Sequence, residues 1–118
     1  MGMYKYITKS FTDGYKEKSG QYKSRLMAWR NGSPIVRVEK PLNLSRARNL
    51  GYKAKKGFVV VRVRVAKGMR KVSKPRRGRK PSHSGRFFPA KLSDQAICEQ
   101  RANRRFKNLE VLNSCLLY

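Results

Sequence analysis

The sequence predicts an α/β fold with a long basic extension, and three observations carry that prediction. The stretch "GFVVVRVRV" (57–65) alternates as a strand does, since successive strand side chains point to opposite faces. Elsewhere apolar residues recur at helical spacing: Tyr4, Ile7 and Phe11, then Tyr22, Leu26 and Trp29, then Cys98, Ala102 and Phe106. Finally, Lys67 to Lys91 holds ten lysines and arginines, three prolines and three glycines. The length of 118 residues fits one domain, 1–118, with 67–91 as a basic extended arm inside it.

Residues 3 to 30 read as two helical segments with a looser join. Gly14 and Gly20 weaken the middle, each by about 1 kcal/mol relative to Ala in a helix interior. Asn31-Gly32-Ser33-Pro34 stops the second segment, and "IVRVEKP" is a short extended stretch that Pro41 ends. "NLSRARNLG" is a brief helix with Asn43 as N-cap and Gly51 at the left-handed C′ position. The connector "YKAKK" and Gly57 lead into the strand. Its residues Val59, Val61, Val63 and Val65 share one face, and Phe58, Val60, Arg62 and Arg64 share the other.

The arm contains only Met69, Val72, Phe87 and Phe88 as sizeable apolar residues, too few to offset its ordering entropy. Alone it is expected to be disordered, and stretched out it reaches about 80 Å. Order returns with a helix at "LSDQAICEQRANRRF". Ser93 caps it, Asp94 complements its dipole, and Leu92 and Ile97 stand where a hydrophobic staple requires them. Cys98, Ala102 and Phe106 make its buried stripe, with Arg101, Arg104 and Arg105 on a flank. The last segment, "NLEVLNSCLLY", is strand-like and ends in four apolar residues, a pattern that asks for neighbouring strands.

Charge narrows the function. Lys and Arg number 30 against six Asp and Glu, a formal net charge of +24. No acid stands between Glu39 and Asp94, an interval holding 18 of the 30 cations. Surface ion pairs cannot neutralise such a run from within, and a charge of this size repels itself. Stable folding is therefore expected to need a polyanion, and clustering of this kind points to nucleic acid.

Other classes find little support. Acid–base and nucleophilic catalysis need paired carboxylates, a held histidine or an activated nucleophile. Here the six acids are isolated in sequence, and the single His83 lies in the arm between Ser82 and Ser84. The glycines of "KGMRKVSKPRRGRKP" match no P-loop. Cys98, Cys115 and His83 are too few and too scattered for a tetrahedral zinc site, so no metal or other cofactor is expected. The two cysteines read as free thiols of a reducing compartment. "MGMYKYITKS" is no signal peptide, and no run of 18 apolar residues spans a membrane. No small-molecule substrate is implied.

Binding has more to work with. Lys and Arg neutralise phosphates, and Arg adds bidentate and stacking contacts. Tyr52, Phe87, Phe88 and Trp29 sit beside cations, as base-stacking side chains do on RNA-binding surfaces. Each also has a structural reading: Trp29 as a core residue with Leu26, and Phe87-Phe88 as an anchor pinning the arm to the core.

At this point two long motifs matter. "RARNLGYKAKKGFVVVRVRVAKG" (46–68), followed by Arg70 and Lys71, resembles the central signature of the archaeal and eukaryotic large-subunit ribosomal protein fifteen-e family. "QRANRRFKNLEVLNS" (100–114) resembles its second signature, and "YKYI" and "AWRNGSPIVRVEKP" resemble its archaeal branch. The resemblance implies a non-enzymatic protein of the large ribosomal subunit, cytoplasmic and in the ribosome, with large-subunit rRNA and neighbouring large-subunit proteins as partners. It implies a small, mainly antiparallel sheet packed with helices, and a basic extension threaded through RNA. Carried onto this chain, the rRNA-facing residues are Lys53, Lys55, Lys56, Arg62, Arg64, Arg101, Arg104 and Arg105. The basic arm adds Arg70, Lys71, Arg76, Arg77, Arg79 and Lys80. Family members continue past "LNS" with an acidic turn, further strands and a basic tail, whereas this chain reads "CLLY", as a short form, a truncated gene model or a fragment of a longer chain would.

On this reading the valine face of the strand packs on helices, and Arg62 and Arg64 lie toward phosphate. The rival in another class is a DNA-compacting chromatin protein, which shares the charge but needs no RNA shape. A membrane-active cationic protein is disfavoured, because the chain has no long amphipathic basic helix.

Overall fold

The computed structural model describes residues 2–68, 82, 85 and 87–117. Six elements follow in chain order: α1 (Tyr4–Lys16), α2 (Gly20–Asn31), β1 (Ile35–Val38), α3 (Leu44–Asn49), β2 (Val60–Val63) and α4 (Asp94–Arg105). The strands form a two-stranded antiparallel sheet in which Ile35 faces Val63 and Val38 faces Val60. Helices on a small antiparallel sheet are the α/β arrangement expected.

The break between the first two helices falls at Lys18 and Ser19, not at a glycine: Gly14 lies inside α1, and Gly20 opens α2. Lys18 takes the left-handed conformation at φ 53°, and Ser19 N–H donates back to the Gly14 carbonyl at 3.3 Å. That is the wrap-back closure of a helix C-terminus, with lysine where glycine is usual. Ser19 then caps α2, its Oγ accepting from Tyr22 N–H at 3.3 Å. One residue thus ends a helix and the next begins another.

Helix α3 has the expected ends. Asn43 Oδ1 accepts from Arg46 N–H at 3.0 Å. At the other end Gly51 (φ 94°) donates to the Arg48 carbonyl and Tyr52 N–H donates to the Ala47 carbonyl, both at 3.0 Å. These two bonds make a Schellman motif around a residue whose φ favours glycine. On α4, Ser93 Oγ accepts from Ala96 N–H at 3.1 Å, as its sequence predicts. Leu92, the expected staple residue, stays 50% exposed.

Packing is thin. Among the described residues no side chain is fully buried. Helix α1 packs on α3, and α4 packs on β2. Half-buried Ile7, Phe11, Leu26, Trp29, Val61, Val63, Cys98, Ala102 and Phe106 supply the apolar contact.

The C-terminal segment corrects the sequence reading. Residues 110–117 form no strand: among the described residues none pairs with them in a hydrogen-bonded ladder. Side chains hold the segment instead. Gln95 Nε2 donates to the Ser114 carbonyl at 3.3 Å, and Ser114 Oγ–H donates to Glu99 Oε1. Asn113 Nδ2 donates to the Leu50 carbonyl at 3.4 Å. Leu112 is left 73% exposed.

Candidate nucleic-acid interface

The loop after α3 carries the first cluster. It runs from Gly51 to Gly57, both glycines at positive φ (94° and 93°), so the backbone turns sharply at each end. Between them Lys55 N–H donates to the Lys53 carbonyl at 3.0 Å, and Phe58 N–H to the Lys55 carbonyl at 3.3 Å. These bonds draw the chain into a knuckle from which Lys53, Lys55 and Lys56 all project as exposed side chains. Lys55 Nζ lies 5.7 Å from the Phe58 ring centroid, a cation–π distance that keeps the charge at the surface.

A second cluster, Arg101, Arg104 and Arg105, lies exposed on the C-terminal half of α4. Arg104 and Arg105 occupy the last turn, where cations offset the negative end of the helix dipole. The half-buried stripe of Cys98, Ala102 and Phe106 lies beside them, and all three arginines stay exposed on its flank. The two clusters belong to elements tied together by Asn113 and Ser114.

Arg62 and Arg64 also have partners within the protein. Sequence alternation suggests a face open to phosphate, yet both are half-buried against the C-terminal end of α2. The Arg62 guanidinium carbon sits 5.3 Å from the Trp29 ring centroid. Its Nε is withdrawn from solvent with no hydrogen-bond partner among the described residues. Arg64 Nη1 donates to the Trp29 carbonyl at 3.0 Å and also to the Arg30 carbonyl. Those carbonyls belong to the last turn of α2, which a helix leaves without intrahelical partners. Arg64 N–H donates to the Pro34 carbonyl at 2.7 Å as well, extending the strand pairing by one residue. The countercharge is therefore supplied, in part, by an indole face and a helix dipole.

Arg70, Lys71, Arg76, Arg77, Arg79 and Lys80 lie outside the described residues, as does most of the expected arm. Phe87 and Phe88, weighed as stacking or anchoring residues, are both more than half exposed.

The family model described as Ribosomal L15 matches residues 2–118. The chain belongs to this family. It is 44% identical over 114 residues to the large ribosomal subunit protein eL15 of Nanoarchaeum equitans (strain Kin4-M). That alignment covers 97% of this chain and 60% of the relative. The chain thus spans less than two thirds of the length of the curated relative it matches.

Within this Ribosomal L15 chain the structure adds cation–aromatic contacts that sequence reasoning did not find. Arg48 Nη1 donates to Tyr4 Oη at 2.6 Å, joining α3 to the start of α1. The contact joins residues 44 positions apart, so no local spacing could announce it. Lys18 Nζ lies 4.0 Å from the Tyr15 ring centroid and 5.2 Å from that of Tyr22. The two rings meet edge to face at 5.7 Å. Here a signal did exist, because Tyr15 and Tyr22 flank the lysine across the helix joint in "GYKEKSGQY". No described helix is long and apolar enough to cross a membrane.

Proposed function

We propose that this chain is a structural constituent of the large ribosomal subunit, binding large-subunit rRNA by charge neutralisation and positioning and acting without catalysis. The observation that carries the reading is the pair of exposed cation clusters, Lys53–Lys55–Lys56 and Arg101–Arg104–Arg105, held by ordered elements in a chain that belongs to the Ribosomal L15 family. Fixed lysines and arginines position a protein on a phosphate backbone without having to be ordered on contact. The arm cations from Arg70 to Lys80 act with them. Arg62 and Arg64 have a mixed role in this reading: they hold α2 to the sheet, and their charge adds to the field that attracts phosphate.

The partners are large-subunit rRNA and the neighbouring large-subunit proteins, and the place is the cytoplasmic ribosome. The relative's name as a large ribosomal subunit protein supports this assignment. Sedimentation of a gently lysed cell extract tests it. The native protein is expected to travel with large subunits through a sucrose gradient at moderate salt. Travel with chromatin, released by DNase but not by RNase, would overturn the reading.

A further inference from the structure

Asn113 and Ser114 bridge two parts of the chain that each carry a cation cluster. The Asn113 carboxamide is used at both ends. Its Nδ2 donates to the Leu50 carbonyl at 3.4 Å, and its Oδ1 accepts from Ser114 N–H at 3.0 Å. Leu50 is the C-cap of α3, so its carbonyl is one that the helix leaves without an internal partner. The lysine knuckle begins just beyond it, at Lys53.

Ser114 grips the other side. Gln95 Nε2 donates to its Oγ at 2.5 Å and to its carbonyl at 3.3 Å, and its hydroxyl donates to Glu99 Oε1. Gln95 and Glu99 are four positions apart on α4 and so share one edge of that helix. At 3.6 residues per turn, Arg101, Arg104 and Arg105 lie roughly 100–160° around the helix from that edge. The bracket therefore holds α4 without using its arginines. Apolar packing of α4 on β2 has no preferred direction, whereas hydrogen bonds do. These bonds fix how α4 is turned against the end of α3.

Building on the rRNA-binding reading, we infer that Asn113 and Ser114 are positioning residues for RNA binding: they hold the lysine knuckle and the α4 arginines in one fixed relation, so that the two clusters engage folded RNA as a unit. Phosphates of a folded RNA stand at set positions, and two clusters already joined rigidly give up little freedom in meeting them. A flexible single strand adapts to any arrangement and gains nothing from the bracket. Neither Asn113 nor Ser114 is charged, so the bracket acts on geometry and leaves the number of cations unchanged.

Filter binding of the purified chain to folded large-subunit rRNA and to oligouridine tests this. The variant Asn113→Ala, Ser114→Ala is expected to bind folded rRNA at least about fivefold more weakly, the lower end of coupling between two sites. It should bind oligouridine as the parent does. Ser114→Thr keeps the hydroxyl and should bind both as the parent does. Gln95→Ala removes the donor from the α4 side, where alanine favours the helix, and should reproduce the loss. It decides the matter if circular dichroism shows the double variant unfolded.

Charge removal reads the coupling directly. In the parent, Lys53→Ala, Lys55→Ala, Lys56→Ala combined with Arg101→Ala, Arg104→Ala, Arg105→Ala should weaken folded-rRNA binding by less than the product of the separate losses. With Gln95→Ala also present, the losses should multiply. If the bracket variants bind folded rRNA as the parent does while the lysine variant binds it more weakly, the bracket inference fails and the rRNA reading stands. Equal weakening on oligouridine, or losses that already multiply in the parent, also overturns it. A parent that prefers duplex DNA to folded rRNA would overturn the rRNA reading itself.

Discussion

Arg62 lies with its guanidinium over the indole of Trp29, 5.3 Å from the ring centroid, and so joins β2 to the last turn of α2. Arg64, two residues on, bonds the carbonyls of that same turn. In a chain with a net charge of +24, arginines used as internal fasteners need acceptors other than carboxylates. Indole faces and helix C-termini are the uncharged groups that favour a cation. The two arginines meet one of each.

This geometry gives the strand arginines a part in holding the fold. Arg64→Gln should destabilise the free protein by about 1–2 kcal/mol, the effect of removing a cation from a helix C-terminus together with its hydrogen bonds. Urea unfolding without RNA measures it. A variant as stable as the parent would mean that Arg64 does not fasten α2. A double-mutant cycle between Arg62→Gln and Trp29→Leu should return a coupling of about 0.5–1 kcal/mol.

The Lys18 joint gives a sharper comparison. Its left-handed backbone costs about 1 kcal/mol in a residue with a Cβ, and its ammonium recovers part of that on Tyr15 and Tyr22. Lys18→Ala keeps the strain and loses the rings, so it should destabilise by about 0.5–1 kcal/mol. Lys18→Gly removes both and should be nearly neutral. If the two variants unfold at the same urea concentration, the backbone strain has been misjudged.

The cysteines should differ in reactivity. Burial pushes the Cys98 thiol up, with Asp94 and Glu99 adding to the rise and Arg101 opposing it. Cys115 is exposed. At neutral pH iodoacetamide should therefore label Cys115 first and Cys98 slowly, as peptide mass spectrometry would read. The sign of the linked stability follows. The folded state holds the Cys98 proton more tightly than the unfolded chain does, so this contribution is complete below the ordinary thiol pKa. It is lost as pH rises through the raised value. Faster labelling of Cys98 than Cys115 at neutral pH would contradict the burial.

Salt separates the charge from the shape. Each lysine of the knuckle that meets a phosphate contributes roughly one unit to the slope of log K against log salt. Removing Lys53, Lys55 and Lys56 together should flatten the slope by about two to three units. The parent should keep its preference for large-subunit rRNA over duplex DNA at high salt, where long-range attraction is screened. Equal affinity for DNA at every salt concentration would favour the chromatin alternative.

Much of the local structure was legible in the sequence because its causes are local. Asn43 and Ser93 cap helices through bonds three residues away, and Gly51 takes a φ that side chains resist. The outward placement of Arg101, Arg104 and Arg105 also follows from spacing, since one helix face cannot be both apolar stripe and cationic flank. Lys53, Lys55 and Lys56 stand between two glycines, and their exposure follows from that loop.

Tertiary structure decided what alternation cannot express. A period of two places Arg62 and Arg64 on one face of β2 but is silent on what covers that face, and only the return of α2 supplies Trp29 and its carbonyls. The segment after α4 has the composition of a strand, yet a strand exists only where a neighbour completes its hydrogen bonds, and among the described residues none lies beside 110–117. Composition and spacing determined the charge and the helix ends. Contacts between residues distant in sequence determined which cations are fasteners and which are left for a partner, because a guanidinium over a ring is neither specified nor forbidden by the residues next to it.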